Sequence, residues 1–158
     1  MQLKKFKRKA THNTFFLKYF LWYVISALFF NSAIPGNKIR IFLLTLFGSK
    51  IGKNVLIKPN VKIKYPWKLT IGEDVWIGEN VWIDNISKVA IGSNTCVSQG
   101  AYICSGSHDF NNEEFVLLMQ EVEIGSNCWI AAKSLIGPGV KIEDGSFIKF
   151  GSIVLKKK

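Results

Sequence analysis

An aliphatic residue returns every six positions from Ile51 to Val154, and few folds accept a chain patterned this way. First positions of the hexads fall at Ile51, Ile57, Ile63, Ile71, Ile77, Ile83, Ile91, Val97, Ile103, Ile124, Ile130, Ile136, Ile142, Ile148 and Val154. Fifth positions are mostly small or β-branched, as at Val55, Val61, Val75, Val81, Thr95, Ala101, Cys128, Ser134 and Val140. A helix repeats every 3.6 residues and a two-faced strand every two, so neither keeps a register of six over this length. A fixed short period marks a solenoid, and a hexapeptide period marks a parallel β-helix. Two extra residues precede Ile71, two precede Ile91, and one long insertion precedes Ile124. With three hexads per coil, coils begin at Ile51, Ile71, Ile91, Ile124 and Ile142, and every insertion falls at one corner of a three-sided prism. The pattern predicts a mainly β chain, a parallel β-helix of about five coils. Glycines at second positions, such as Gly52, Gly72 and Gly92, read as places where the backbone turns tightly. The hand of the helix does not follow from these counts.

Charge is placed unevenly. Residues 1–53 hold ten Lys or Arg and no acid, the first acid being Glu73, while residues 54–158 balance eleven bases against eleven acids. The net +10 therefore belongs to the N-terminal third. This argues against a nucleic-acid-binding face on the repeat body and for an anionic partner at the N-terminus. Lys4, Lys5, Lys7, Arg8 and Lys9 lead into an apolar stretch from Phe15 to Phe30, broken by Lys18. Its uninterrupted run, Tyr19 to Phe30, is shorter than the ~20 apolar residues a spanning helix needs. Asn31–Gly36 makes a turn through Pro35 and Gly36, and a second apolar segment, Ile39 to Phe47, starts beside Lys38 and Arg40. Residues 1–50 are thus expected to form a basic, apolar helical hairpin, with 1–47 lying on an anionic membrane surface. A cap on the open end of the solenoid, a spanning helix and a signal peptide are the competing readings. Cys96, Cys104 and Cys128 have no metal-ligand spacing and read as packed free thiols in a reducing compartment.

Residues 51–158 form the second unit, interrupted by one extruded loop, 107–121. Loops held by rigid scaffolds carry function, and His108 opens this one. A lone surface histidine is ordinarily just solvated. Two features set His108 apart: it sits where scaffold meets loop, and Asp109 follows it as a candidate orienting carboxylate. Asp84 and Asn85 lie one coil below and are candidate acceptor contacts. Stacking the coils places Tyr102 above Trp82, and Trp76, Cys96 and Trp129 along another edge. Tyr102 and Trp129 then either stack on a bound ligand or pack against a neighbouring protomer.

Gly-Ser-His-Asp-Phe at 106–110, Ile-Gly-Ser-Asn-Cys-Trp-Ile-Ala-Ala at 124–132, Ile-Gly-Pro-Gly-Val at 136–140 and Gly-Ser-Ile-Val at 151–154 resemble the hexapeptide-repeat acyltransferases. Lys-Tyr-Pro-Trp at 64–67, Trp-Ile-Gly-Glu at 76–79 and the apolar hairpin are similar to the colanic acid biosynthesis acetyltransferase branch. The resemblance implies a left-handed parallel β-helix, a homotrimer, acetyl-CoA between neighbouring prisms, no metal, and His108 as the catalytic base. It also implies donor contacts at Ala131, Ala132, Phe150, Gly151, Ser152 and Lys156, with Phe150 and Leu155 standing where the family commonly has Ala and Thr. The chemistry agrees, because a sugar hydroxyl needs a base as it attacks a thioester, and imidazole titrates near pH 6.5. The expected activity is O-acetylation of a sugar of a surface polysaccharide, or of its lipid-linked precursor, at the cytoplasmic face of the membrane. Transfer to an amine, a covalent acetyl on Cys104, and a non-catalytic trimeric scaffold are the alternatives. A γ-class carbonic anhydrase needs three zinc-binding histidines, and this chain has two, His12 and His108.

Overall fold

Three columns of aliphatic side chains define the body of the molecule. A computed structural model describes residues 3–5, 13–30 and 36–156, and from Lys50 to Val154 the chain winds through three parallel five-stranded sheets. The first sheet holds Lys50–Ile51, Leu69–Ile71, Val89–Ile91, Val122–Ile124 and Lys141–Ile142. The second holds Leu56–Ile57, Trp76–Ile77, Cys96–Val97, Trp129–Ile130 and Phe147–Ile148. The third holds Lys62–Ile63, Trp82–Asp84, Tyr102–Cys104, Leu135–Ile136 and Ile153–Val154. Register stacks like on like, for example Ile57 on Ile77 on Val97 on Ile130 on Ile148. Most of these inward residues are fully buried, each burial contributing ~1.5–3 kcal/mol.

The insertions sit at the corner between the third and first sheets, as the spacing predicts. Their second job is packing: they lengthen the first-sheet strands, and Leu69, Val89 and Val122 stack as an extra buried column. The long insertion is not an irregular loop. Gly106–His108 pairs antiparallel with Leu117–Met119, so it forms a β-hairpin.

The corners correct one expectation. Second-position glycines such as Gly52, Gly72 and Gly92 do not carry the positive φ of a tight turn. That conformation belongs to the fourth position, taken by Asn54, Asn60, Asp74, Asn80, Asn94 and Asn127, with φ between 54° and 59°. Asn and Asp tolerate the left-handed region because their short polar chains bond locally. Gly92 is needed for a different reason: a Cβ there would lie 2.5 Å from the Gly125 carbonyl carbon and the Ser126 nitrogen of the next coil. Gly92→Ala is therefore expected to destabilise the protein by about 1–3 kcal/mol in denaturant unfolding. An unchanged midpoint would show that the coils are not in steric contact there.

Two helices, α1 (Asn13–Phe29) and α2 (Asn37–Leu46), cover the N-terminal end of the prism, and the first strand starts at Lys50. The first coil has no coil below it, and helix side chains satisfy its backbone instead. Trp22 Nε1–H donates to Ile63 O at 2.7 Å, Asn37 donates to Val55 O and accepts from Ile57 N, and Arg40 donates to Ile57 O and Phe29 O. Arg40 is only 3% exposed, so this cation points into the cap rather than toward head groups. The outer face of the cap stays bare: Phe16, Leu17, Phe20, Tyr23, Phe42 and Leu46 are all more than half exposed. Among the described residues no helix is long and apolar enough to cross a membrane. His12, Lys7, Arg8, Lys9 and Pro35 lie outside the described residues.

Candidate active site

The hairpin that carries His108 is built from its base upward. Gln120 N–H donates to Ser105 O at 2.9 Å and closes the base, while buried Ser105 accepts from Ser87 N through its Oγ. Gly106 lets the hairpin settle onto the solenoid, since a Cβ there would fall 1.9 Å from Ile86 Cδ1. At the tip, Asp109 N–H donates to Val116 O and Phe115 N–H donates to Asn112 O. The Asp109 carboxylate accepts from Asn111 N–H at 3.0 Å, which caps the turn.

The half-buried imidazole of His108 meets Phe115 twice. Its Nδ1 lies 2.8 Å from Phe115 O, and the two rings stack with centroids 4.2 Å apart and planes 5° from parallel. A carbonyl oxygen can only accept, so Nδ1 carries the hydrogen and the lone pair of the neutral ring is on Nε2. The expectation that Asp109 orients the ring is thus met by a different group, a backbone carbonyl seven residues on. Nothing in the residue types of the loop signalled it.

The candidate acceptor residues separate. Asp84 and Tyr102 meet on the third sheet, where Asp84 pairs in register with Cys104, four residues before His108. Tyr102 OH donates to Asp84 Oδ2 at 3.2 Å, and Lys64 Nζ lies 2.8 Å from Asp84 Oδ1. Burial first, then the Cys104 thiol and the Asp84 carboxylate, pushes Tyr102 well above the usual phenol range, so it is a hydrogen-bond donor at neutral pH. Asn85 is a correction. It is fully buried, accepting from Tyr65 N–H at 3.0 Å and donating to Tyr65 O at 2.7 Å, so it holds a corner and cannot touch an acceptor. Trp129 is on the second sheet, donating to Ser98 Oγ at 2.9 Å and packing on Phe147. The thiols are free, with Cys128 buried in the core.

The candidate donor contacts divide in the same way. Ala131 and Ala132 are nearly buried at the corner between the second and third sheets, and Gly151 N–H donates to Ala132 O at 3.0 Å. Phe150, Gly151 and Ser152 form the coil directly above, Phe150 standing 72% exposed. Lys156 is at the opposite edge of the third sheet, on the hairpin's corner, beside Gly139 and Gln120. The outer face of the third sheet therefore lies between a small-residue corner and the histidine hairpin. Among the described residues there is no cluster of side chains able to hold a metal ion.

Residues 121–156 match the family model described as bacterial transferase hexapeptide (six repeats). The Escherichia coli (strain K12) protein WcaF, assigned as a colanic acid biosynthesis acetyltransferase, is 42% identical over 141 residues, covering 89% of this chain and 78% of WcaF. The chain belongs to the hexapeptide-repeat acetyltransferases. The fold of these acetyltransferases is the left-handed parallel β-helix, and solved structures share it here. Galactoside acetyltransferase in complex with coenzyme A superposes with a TM-score of 0.81 at 24% identity, covering 99% of this chain and 82% of that one. A hexapeptide-repeat acetyltransferase of Vibrio cholerae O1 biovar eltor, complexed with acetyl coenzyme A, superposes with a TM-score of 0.83 at 17% identity, covering 98% and 85%.

Proposed function

We propose that this acetyltransferase moves an acetyl group from acetyl-CoA to a sugar hydroxyl of a surface polysaccharide or of its lipid-linked precursor. The observation that carries the reading is the His108 geometry: Nδ1 is held by Phe115 O at 2.8 Å, which puts the lone pair of the neutral ring on Nε2, the atom that acts as the base. As the sugar oxygen attacks the thioester carbonyl, Nε2 takes the hydroxyl proton. When the C–S bond breaks, the imidazolium returns that proton to the departing thiolate. Backbone amides stabilise the oxyanion formed between these steps. Asp84 and Tyr102 offer an acceptor and a donor to a sugar on the third sheet, and the small corner at Ala131 and Ala132 admits pantetheine close to the backbone. Lys156 meets the CoA phosphates. Three copies pack side by side, the donor lying between neighbouring prisms.

The bare apolar face of the cap, with Lys4, Lys5, Lys18 and Lys38 on the same segment and no acid before Glu73, suits the anionic inner face of the cytoplasmic membrane. Units 1–50 and 51–158 then divide the work into anchoring and chemistry. The test is release of CoA thiol from acetyl-CoA across a panel of galactosides, glucosides and amino sugars. Release with hydroxyl acceptors supports the reading, and release with amines alone overturns it. Flotation with vesicles holding anionic lipid is expected to carry the protein upward, and recovery at the bottom of the gradient would end the membrane assignment.

A further inference from the structure

Phe115 is a bulky residue held at φ +51°, in the left-handed region that ordinary side chains avoid. Elsewhere in the solenoid that conformation is taken mainly by Asn, Asp and Gly at coil corners, where the chain must turn. At Phe115 it does something else. It turns the residue's carbonyl toward His108 Nδ1, at 2.8 Å, while its ring lies flat on the same imidazole at 4.2 Å. Both groups come from one residue, so a single backbone conformation fixes the tautomer and the plane of the ring together. Strained backbone that persists at a reactive side chain is over-determined by its surroundings, and here the ladder Asp109 N–H to Val116 O and Phe115 N–H to Asn112 O supplies the restraint.

We infer that Phe115 is the positioning residue for His108, performing with a carbonyl and an aromatic face the orienting task that a carboxylate performs in other histidine sites. The inference rests on His108 being the base. The carbonyl keeps the hydrogen on Nδ1, so the lone pair of the neutral ring is on Nε2, and the stacked face holds the plane of the ring. Asn and Gly both accept the left-handed conformation and retain the carbonyl, so Phe115→Asn and Phe115→Gly remove the ring alone. Phe115→Tyr keeps it.

The experiment pairs steady-state kinetics with nitrogen-detected NMR of the histidine tautomers in the full chain, the His108→Ala protein assigning the signals. Wild type and Phe115→Tyr are expected to show His108 with hydrogen on Nδ1 and similar kcat. Phe115→Asn and Phe115→Gly are expected to lose roughly 10- to 100-fold in kcat with little change in KM for acetyl-CoA, and to show mixed tautomers. Phe115→Gly, which relieves the backbone, should keep its thermal midpoint while losing turnover, a combination a purely structural residue would not give. Wild-type kcat with a wild-type tautomer in Phe115→Asn or Phe115→Gly overturns the inference, as does a hydrogen on Nε2 in the wild-type protein. The tautomer is read without turnover. A failure of His108 as base, seen as full activity in His108→Ala, is therefore a separate result.

Discussion

His108→Ala is expected to lose about 10²–10⁴-fold in turnover while acetyl-CoA affinity stays nearly unchanged. The magnitude is that of removing a positioned general base from the proposed reaction, whose nucleophile, a sugar hydroxyl, is weak at neutral pH. The selectivity follows from topology. His108 stands on a hairpin at one corner of the prism, whereas Ala131, Ala132, Gly151 and Ser152 stack at another. Truncating the imidazole removes no backbone amide and no small residue from the corner proposed to hold the donor. His108→Gln, which keeps a polar group of similar reach but no base, is expected to be equally slow. Normal turnover in either variant would remove His108 from the mechanism.

Trp22→Ala is expected to cost ~3–5 kcal/mol, measured by denaturant unfolding. Trp22 is 1% exposed, its ring packs against Phe30 and Phe47 at 5.1 and 5.3 Å between centroids, and its indole N–H satisfies Ile63 O in the first coil. The substitution opens a cavity and leaves a strand carbonyl without its partner. This is a stability effect, read in the folded fraction, and Trp22→Phe should recover most of the packing while still losing the hydrogen bond. A change below ~1 kcal/mol would mean that α1 is not part of the folded cap, since a buried aromatic cannot be truncated so cheaply. The cap and the proposed membrane face are compatible because they use opposite sides of the same hairpin: Trp22, Phe30 and Leu44 are buried, Phe16, Phe20 and Phe42 exposed.

The columns of the solenoid were legible because burial repeats with the coil, and an inward aliphatic every sixth residue has no other structural use. The corner insertions were legible for the same reason, since they leave the three columns in register. What the glycines do was less so: a tight turn and a close approach both call for Gly, and only the 2.5 Å at which a Cβ on Gly92 would meet the next coil separates them. The fourth-position run of Asn54, Asn60, Asp74, Asn80 and Asn94 did carry the turn signal, in residue types that tolerate positive φ. Asn85 and Arg40 misled for a shared reason. A polar side chain beside a corner or on a helix is outward by default, and both are drawn inward to satisfy backbone groups that the fold leaves open. Phe115 was not legible at all, because phenylalanine gives no hint of a left-handed turn and the partner of His108 is a main-chain atom.

The thermal midpoint of the full chain, with and without saturating acetyl-CoA, in wild type and in His108→Ala, tests the central claim most directly. A ligand present at about 100 times its Kd stabilises the folded state by ~2.7 kcal/mol, which is readily seen as a shift in midpoint. The account predicts the same upward shift in both proteins, with turnover surviving only in wild type. No shift in either protein would contradict an acetyl-CoA-dependent enzyme, and a shift confined to wild type would contradict a purely chemical role for His108.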